Sequence, residues 1–236
     1  MNRSIKQTVV GVVSALAVGL AFAEEWDSNL QVGLNLTDGN SETLTLNTGL
    51  TAERGDDDEN TKLGVEYNYG ETQSKTTVQN IQAYAKEKRV FSGDTYGYAD
   101  ANYLHDDIAD IKYRFIVGIG IGQYLLRNDA TTLGVEFGLA WISEDVGKTD
   151  NIFGLRFGQN FEHKISDNAR IFESIEFLPE ANDWDNYLIN FEAGVEAAIN
   201  SDLSLRVVIE DRYDNTPAGG RDENDIALVA GLSYAL

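Results

Sequence analysis

The amino-acid sequence predicts an all-β protein, an antiparallel transmembrane β-barrel of about 12 strands arranged as an up-and-down meander. Runs of alternating apolar and polar residues recur along the chain, and clusters of Gly, Asp, Asn or Ser separate them. In the clearest run, 131–141, the apolar positions are Leu133, Val135, Phe137, Leu139 and Trp141. Successive side chains of a strand point to opposite faces, so this run has one apolar face and one face of small or charged residues. Such strands are typical of the wall of a membrane barrel.

The first 23 residues have the pattern of a secretory signal peptide. Arg3 and Lys6 precede an apolar stretch over 9–20, and the motif AFA at 21–23 fits a cleavage site. This stretch and every later one are shorter than the roughly 18 apolar residues that a transmembrane helix requires. We therefore expect export with cleavage of the signal peptide, followed by a single barrel domain over residues 24–236.

The composition limits the classes of partner and site. Without Arg3 and Lys6, 16 basic residues remain against 39 acidic ones, a formal charge of −23. Nucleic-acid binding depends on basic side chains that neutralise phosphates, so this balance argues against a nucleic-acid partner. The chain contains no cysteine, which excludes disulfides and zinc–thiolate sites.

Twelve strands are expected, an even number as in bacterial barrels, and each is long enough for a tilted span. The predicted strands are 26–36, 43–54, 61–71, 78–89, 94–104, 111–124, 131–143, 152–164, 169–178, 186–199, 202–213 and 225–236. If the N-terminus lies in the periplasm, longer outer loops should alternate with short inner turns. The outer segments include TQSKTT, SEDVGKTDN, PEANDWD and NTPAGGRDEN, and the inner ones include GDDDEN, RND and NSD.

The apolar parity marks the face expected to contact lipid, and its aromatic residues gather toward the strand ends. Trp and Tyr are enriched at membrane interfaces, so these residues are candidates for interfacial girdles. The candidates are Tyr113, Trp141, Phe153 and Tyr187 at the outer rim and Trp26 and Tyr234 at the inner rim. In strand 169–178, Phe172 and Glu173 invert the alternation, which leaves a β-bulge or a misassigned strand as explanations.

The opposite parity carries charged residues and glycines, and we expect it to line the lumen. An Arg or Lys on the lipid face would cost about 2–4 kcal/mol at mid-depth. The lumen candidates are Lys112, Arg114, Glu136, Arg156, Glu162, Glu192, Glu196, Arg206, Glu210 and Arg212, with Lys86, Lys88 and Asp100 on the same parity. These charges either pair and hold the barrel open, which we favour, or line a polar conduit for small solutes. Barrels of about eight strands are filled by side chains and those of about sixteen hold aqueous channels, so twelve strands allow both.

No catalytic site, metal or cofactor is expected. His105 and His163 are the only histidines, and the predicted topology places them at opposite ends of the barrel. Acidic pairs such as Glu192 and Glu196 are a weak signal in an acidic chain. The run GDDDEN at 55–60 lacks the ligand spacing of a calcium loop. The protein is therefore not expected to be an enzyme, and a barrel hydrolase ranks below the other hypotheses.

Two segments carry a resemblance to a known family. They are LTDGNSETLTLNTGLTAER at 36–54, where Gly39 and Asn40 turn a hairpin, and DRYDNTPAGGRDENDIALVAGLSYAL at 211–236. Both resemble a family of salt-induced outer-membrane proteins that is also classed as a domain of unknown function. The resemblance implies a barrel in the bacterial outer membrane and supplies no catalytic residues.

The chain ends in Leu236, with Tyr234 two residues earlier, whereas outer-membrane barrels usually end in a Phe or Trp that the assembly machinery recognises. We expect a monomer that the barrel-assembly machinery inserts into outer-membrane lipid. The expected function is a structural or stress-adaptation role in the cell envelope, and a narrow pore for small solutes or ions is the alternative.

Overall fold

The computed structural model describes residues 26–37, 43–56 and 58–236 of the chain, which form a closed antiparallel barrel. Its strands are β1 (Asp27–Thr37), β2 (Thr43–Gly55), β3 (Glu59–Thr72), β4 (Lys75–Ser92), β5 (Thr95–Asp106), β6 (Ile111–Arg127), β7 (Thr131–Asp145), β8 (Thr149–Ser166), β9 (Ala169–Pro179), β10 (Tyr187–Ala198), β11 (Leu203–Asp214) and β12 (Asn224–Ala235). Each strand pairs with its neighbours in sequence, and β1 pairs with β12 to close the barrel. The predicted fold class is confirmed.

All twelve predicted strands are present, and no strand end differs from its prediction by more than three residues. The signal peptide predicted for residues 1–23 lies outside the described residues. Over the described part of the chain, no helix has both the length and the apolarity that crossing a membrane requires. We call the barrel end that holds Trp26 and Leu236 the inner end, and the opposite end the outer end.

The two faces of the wall follow the predicted alternation. In β7, Glu136 and Ala140 are buried inside, whereas Phe137 and Leu139 are 50% and 60% exposed on the outside. Large apolar side chains are exposed in the same way on most other strands, as at Leu228, which is 75% exposed. The outer surface of the barrel is therefore apolar, and the polar parity faces the interior.

Two outer connections are much shorter than predicted. The predicted loop TQSKTT is reduced to Gln73 and Ser74, both with positive φ, which is the geometry of a two-residue hairpin turn. The predicted loop SEDVGKTDN is reduced to residues 146–148. The polar residues that predicted these loops instead belong to the ends of the strands. Among the outer connections that the structure describes, only 180–186 and 215–223 are long.

Short inner turns are closed by Asp or Asn side chains. The Asp56 carboxylate accepts hydrogen bonds from the backbone N–H groups of Asp58 at 2.8 Å and Glu59 at 3.0 Å. The N–H groups of Glu59 and Asp58 lower the pKa of the Asp56 carboxyl because they stabilise its charged form. Asn128 and Asn200 each make the same pair of bonds to the residues two and three positions later. The Asp and Asn residues that predicted compact inner turns therefore close those turns through their own side chains.

Strand β9 contains no bulge at the point where the alternation inverts. Phe172 pairs with Glu162 and Gly194 on the inward parity, and Glu173 pairs with Phe161 and Ala193 on the outward parity. The guanidinium groups of Arg170 and Arg206 lie over the Phe172 ring, at 5.6 and 4.6 Å from its centroid. The strand was assigned correctly, and cation–π contacts place the aromatic ring inside.

Glycine at position 122 creates space for a buried tyrosine. A Cβ atom on Gly122 would lie 2.2 Å from Cζ of Tyr96, whose side chain is packed inside the barrel. Tyr96 in turn lies against Tyr124, with ring centroids 4.8 Å apart. Any side chain at position 122 therefore has to displace this pair.

We expect Gly122→Ala to lower the free energy of unfolding by about 1–3 kcal/mol, because it overpacks the Tyr96 site. The measurement is urea unfolding of the barrel in lipid vesicles. Gly97→Ala is the matched control, since a Cβ there meets its nearest atoms at an ordinary 3.9 Å. Equal stability of both variants would contradict the close fit of Tyr96 over Gly122.

Candidate functional site

The interior of the barrel is the candidate site, and an ion-pair network occupies its centre. Glu136 on β7 accepts hydrogen bonds from Lys86 Nζ at 2.6 and 2.9 Å, from Arg156 at 2.7 Å and from the Tyr96 hydroxyl at 3.1 Å. Its side chain is 1% exposed. Lys86 lies on β4, three strands from β7, so this contact crosses the interior rather than following the wall.

Arg156 on β8 extends the network to β9 and makes a second connection to β5. Its Nε donates to Glu176 on β9 at 2.5 Å and lies 3.6 Å from Asp100 on β5. The guanidinium carbon also lies 4.6 Å above the centre of the Tyr98 ring. Four groups therefore fix this one cation, which suits a charge that is buried.

Toward the inner end, a tyrosine cluster fills the interior. Tyr96, Tyr98 and Tyr124 are all buried, and the ammonium group of Lys88 lies over two of their rings at 5.7 and 5.2 Å. The neighbouring strand β6, which pairs with β5, carries Gly118, Gly120 and Gly122 on its inward parity. A Cβ on any of these glycines would lie 2.6 Å or less from an atom of the opposing network, so small residues on one strand accommodate large ones on the next.

Toward the outer end, an apolar cluster fills the same side of the barrel. Its buried members are Ile116, Ala140, Ile142, Ile152, Leu178 and Leu188. Nearer the rim, Arg114 on β6 donates to Glu144 and to Asp214 on β11, both at 2.5 Å. Because β6 and β11 are five strands apart, this guanidinium ties opposite parts of the outer rim together.

A second set of ion pairs lies nearer the inner end on β8–β11. Arg170 donates to Glu162 at 2.6 Å and to Glu196 at 2.7 Å, and Arg206 donates to Glu192 at 2.7 Å. These side chains are 21–41% exposed, so they face the lumen rather than a packed core.

The opposite side of the interior is open. Strands β1–β3, β11 and β12 enclose a cavity with an empty volume of about 500 Å³, including its opening to solvent. Its polar lining includes Gln31, Asn47, Asn68, Glu66, Arg206 and Glu210. A ladder of amides continues from this wall, in which Asn47 donates to Asn68 at 2.7 Å and Asn68 donates to Asn80 at 3.0 Å. The lumen is therefore filled on one side, and on the other it holds a cavity whose lining combines these polar groups with Val208 and Val229.

Nine of the ten principal lumen candidates lie on the inward side, and one does not. Arg114, Glu136 and Arg156 are buried, and Glu162, Glu192, Glu196, Arg206, Glu210 and Arg212 are partly buried. Lys112 lies at the outer rim with its side chain 71% exposed, and it pairs with Asp145 at 3.1 Å. The pairing of β5 with β6 shifts register here, since Leu104 pairs with Arg114 but Asp106 pairs with Ile111. Both Ile111 and Arg114 are therefore buried, and Lys112 between them is excluded from the interior.

Sequence reasoning missed several residues that build the interior. They are Glu66, Tyr84, Tyr96, Tyr98, Tyr124, Arg170, Phe172 and Glu176. Their inward parity could have identified the tyrosines, since the glycines at alternate positions of the neighbouring strand indicate space for large side chains. Arg170 and Glu176 share the inward parity with Phe172, and the inversion at Phe172 hid them.

The six interfacial aromatic candidates lie toward strand ends. At the outer end, Trp141 contacts Phe115 edge-on at 6.3 Å, and the Tyr187 ring stacks on Tyr213 at 5.6 Å. Phe153 is 68% exposed, and Tyr113 pairs with Asp145 near the same rim. At the inner end, Trp26 lies under the guanidinium of Arg54 and Tyr234 is 48% exposed. Their role at a membrane interface stays a prediction.

The two histidines lie at opposite ends of the barrel. His105 Nδ1 lies 2.9 Å from the Lys112 carbonyl oxygen near the outer end, and His163 Nδ1 lies 2.8 Å from the Thr131 hydroxyl near the inner end. Among the described residues, no group of three or more His, Cys, Asp or Glu side chains could hold a metal ion.

We expect Arg156→Leu to destabilise the barrel by about 3–5 kcal/mol, because it leaves the buried Glu136 carboxylate without one of its two cations. Arg170→Leu, which removes a partly exposed guanidinium, should cost only about 1 kcal/mol. Urea unfolding of both variants in lipid vesicles measures the difference. A smaller loss for Arg156→Leu than for Arg170→Leu would mean that the central network does not support the fold.

Comparison with solved structures finds several that are similar to this chain. The NanC porin matches with a TM-score of 0.55 at 10% identity, over 89% of this chain and 100% of that one. The KdgM porin gives 0.48 at 8% identity, over 89% and 99% of the two chains. An outer membrane channel from Pseudomonas putida F1 gives 0.49 at 7% identity, over 89% and 94%. At these identities the likeness to the NanC porin shows a shared barrel fold.

No curated protein matches the chain. The model of one protein family matches residues 30–236, which is nearly the whole barrel. That family is described as "Protein of unknown function, DUF481", and the chain belongs to it.

Proposed function

We propose that this protein is a narrow pore of the bacterial outer membrane that passes small polar solutes or ions. The cavity beside β1–β3 supports the proposal, because a barrel that serves only as a scaffold has no need of an unfilled polar interior. The barrel fold shared with the NanC porin adds support of a weaker kind, since one fold can serve several functions.

The apolar outer surface supports a membrane location. Soluble monomers rarely expose apolar patches larger than a few hundred Å². Here Ile119, Leu139 and Leu228 are each at least 60% exposed. Ile119 and Leu139 lie on the adjacent strands β6 and β7, and Leu228 lies on β12 across the barrel from them. A closed barrel also satisfies its backbone hydrogen bonds internally, as the hydrocarbon layer requires. Outer-membrane insertion as a monomer by the assembly machinery, after removal of a signal peptide, remains part of this proposal.

A structural role in the cell envelope, for instance under salt stress, is the second candidate function. The central network favours it, because Lys86, Glu136 and Arg156 join non-adjacent strands across the interior. In that case the cavity would be a dead end and the folded barrel would pass no current. The sequence alone favours this structural role, whereas the cavity favours the pore.

We expect the purified, folded protein to produce stepwise currents in a planar lipid bilayer. A bulky side chain in the cavity should narrow the conduit, so Asn47→Trp should reduce the size of each step. Leu46→Trp is the matched control, because position 46 belongs to the outward parity of the same strand. Heat-modifiable migration in gel electrophoresis confirms that each variant is folded.

Silent wild-type protein that is fully folded would favour the structural role. Currents that Asn47→Trp and Leu46→Trp leave equally unchanged would show that solutes do not pass through this cavity.

A further inference from the structure

We infer that the conduit selects cations, and that Glu66 and Glu210 determine this selectivity. The inference rests on the proposed pore and names the class of solute that the pore would pass. It follows from which charges in the interior are compensated and which are not.

Three charged residues line the cavity: Glu66, Arg206 and Glu210. The guanidinium of Arg206 is already paired with the Glu192 carboxylate at 2.7 Å. The Glu66 carboxylate accepts a hydrogen bond from the neutral amide of Gln82 at 2.7 Å. Throughout the described part of the chain, neither Glu66 nor Glu210 forms an ion pair with a basic side chain. The cavity therefore presents two carboxyl groups that no basic side chain of the described strands contacts directly.

The basic groups nearest to the cavity are held by other carboxylates. Arg212, the next charged residue along β11 that faces inward, lies 3.4 Å from Asp106. On the filled side of the barrel, Glu136 binds both Lys86 and Arg156. An anion that enters the cavity thus meets Glu66 and Glu210, whereas Arg206 and Arg212 each already contact a carboxylate, although Nη1 of Arg212 has no hydrogen-bond partner within the described ranges.

Carboxylates in a narrow space with low-dielectric walls raise the local concentration of counter-ions. A mobile cation would also offset the cost of leaving Glu66 and Glu210 partly desolvated without a fixed partner. The remaining polar lining of Gln31, Asn47 and Asn68 is uncharged and offers oxygen atoms that can replace water around an entering cation. The chain as a whole carries a formal charge of −21, which favours the approach of cations to either end.

The test is the reversal potential of the wild-type protein in a planar bilayer that separates two KCl concentrations. We expect it to shift toward the equilibrium potential of K⁺. The double variant Glu66→Gln/Glu210→Gln preserves side-chain size, and it should move the reversal potential most of the way to zero. The matched control Glu87→Gln/Glu173→Gln removes the same charge from the outward parity of β4 and β9, and it should leave the reversal potential unchanged.

A second variant provides a test in the opposite direction. Arg206→Gln releases the Glu192 carboxylate and should shift the reversal potential further toward that of K⁺. A conducting wild type with a reversal potential at zero or on the Cl⁻ side would overturn the selectivity while leaving the pore intact. A folded wild type without current would overturn the pore and the selectivity together, so the two failures are distinct.

Discussion

The Glu136 carboxylate is the group on which the arrangement of the interior depends. It lies on β7, and its partners Lys86, Tyr96 and Arg156 lie on β4, β5 and β8. A carboxylate removed from water is stable only when its partners are held in place, so Glu136 fixes the positions of side chains on all these strands. The tyrosine cluster packs toward the inner end of this centre, and the isoleucine-rich cluster packs toward the outer end.

This dense packing occupies only part of the circumference. The strands that carry it, β4–β10, contain the large inward side chains of the two clusters, whereas the wall around the cavity carries Gly33, Gly49 and Gly231 with amides between them. Because the bulky groups are concentrated on one side, the opposite side is left with a polar space. Both the pore that we propose and its charge preference depend on this unequal filling.

The fold was predictable from the sequence because a barrel wall has a strict period of two. Alternation in runs such as 131–141 gave the strands, their number and the inward parity of residues such as Arg156 and Glu210. The contacts across the interior were not predictable, since they join strands such as β6 and β11 that have no register in common. Lys112 was misplaced because a local shift in register reverses the parity, which a reading based on strict alternation does not detect.

The pairing of β1 with β12 has a consequence for how the barrel forms. The ladder between them runs only from Asn29 with Ala235 to Val32 with Leu232, and Leu236 N–H adds a bond to the Ser28 carbonyl at 2.9 Å. These partners are about two hundred residues apart in the chain, and contacts between such distant segments form slowly because they carry the largest loss of chain entropy. By contrast, strands that follow one another along the chain pair across connections of at most nine residues, the length of segment 215–223. We therefore expect closure of the ring to be slower than the pairing of strands that are adjacent in sequence.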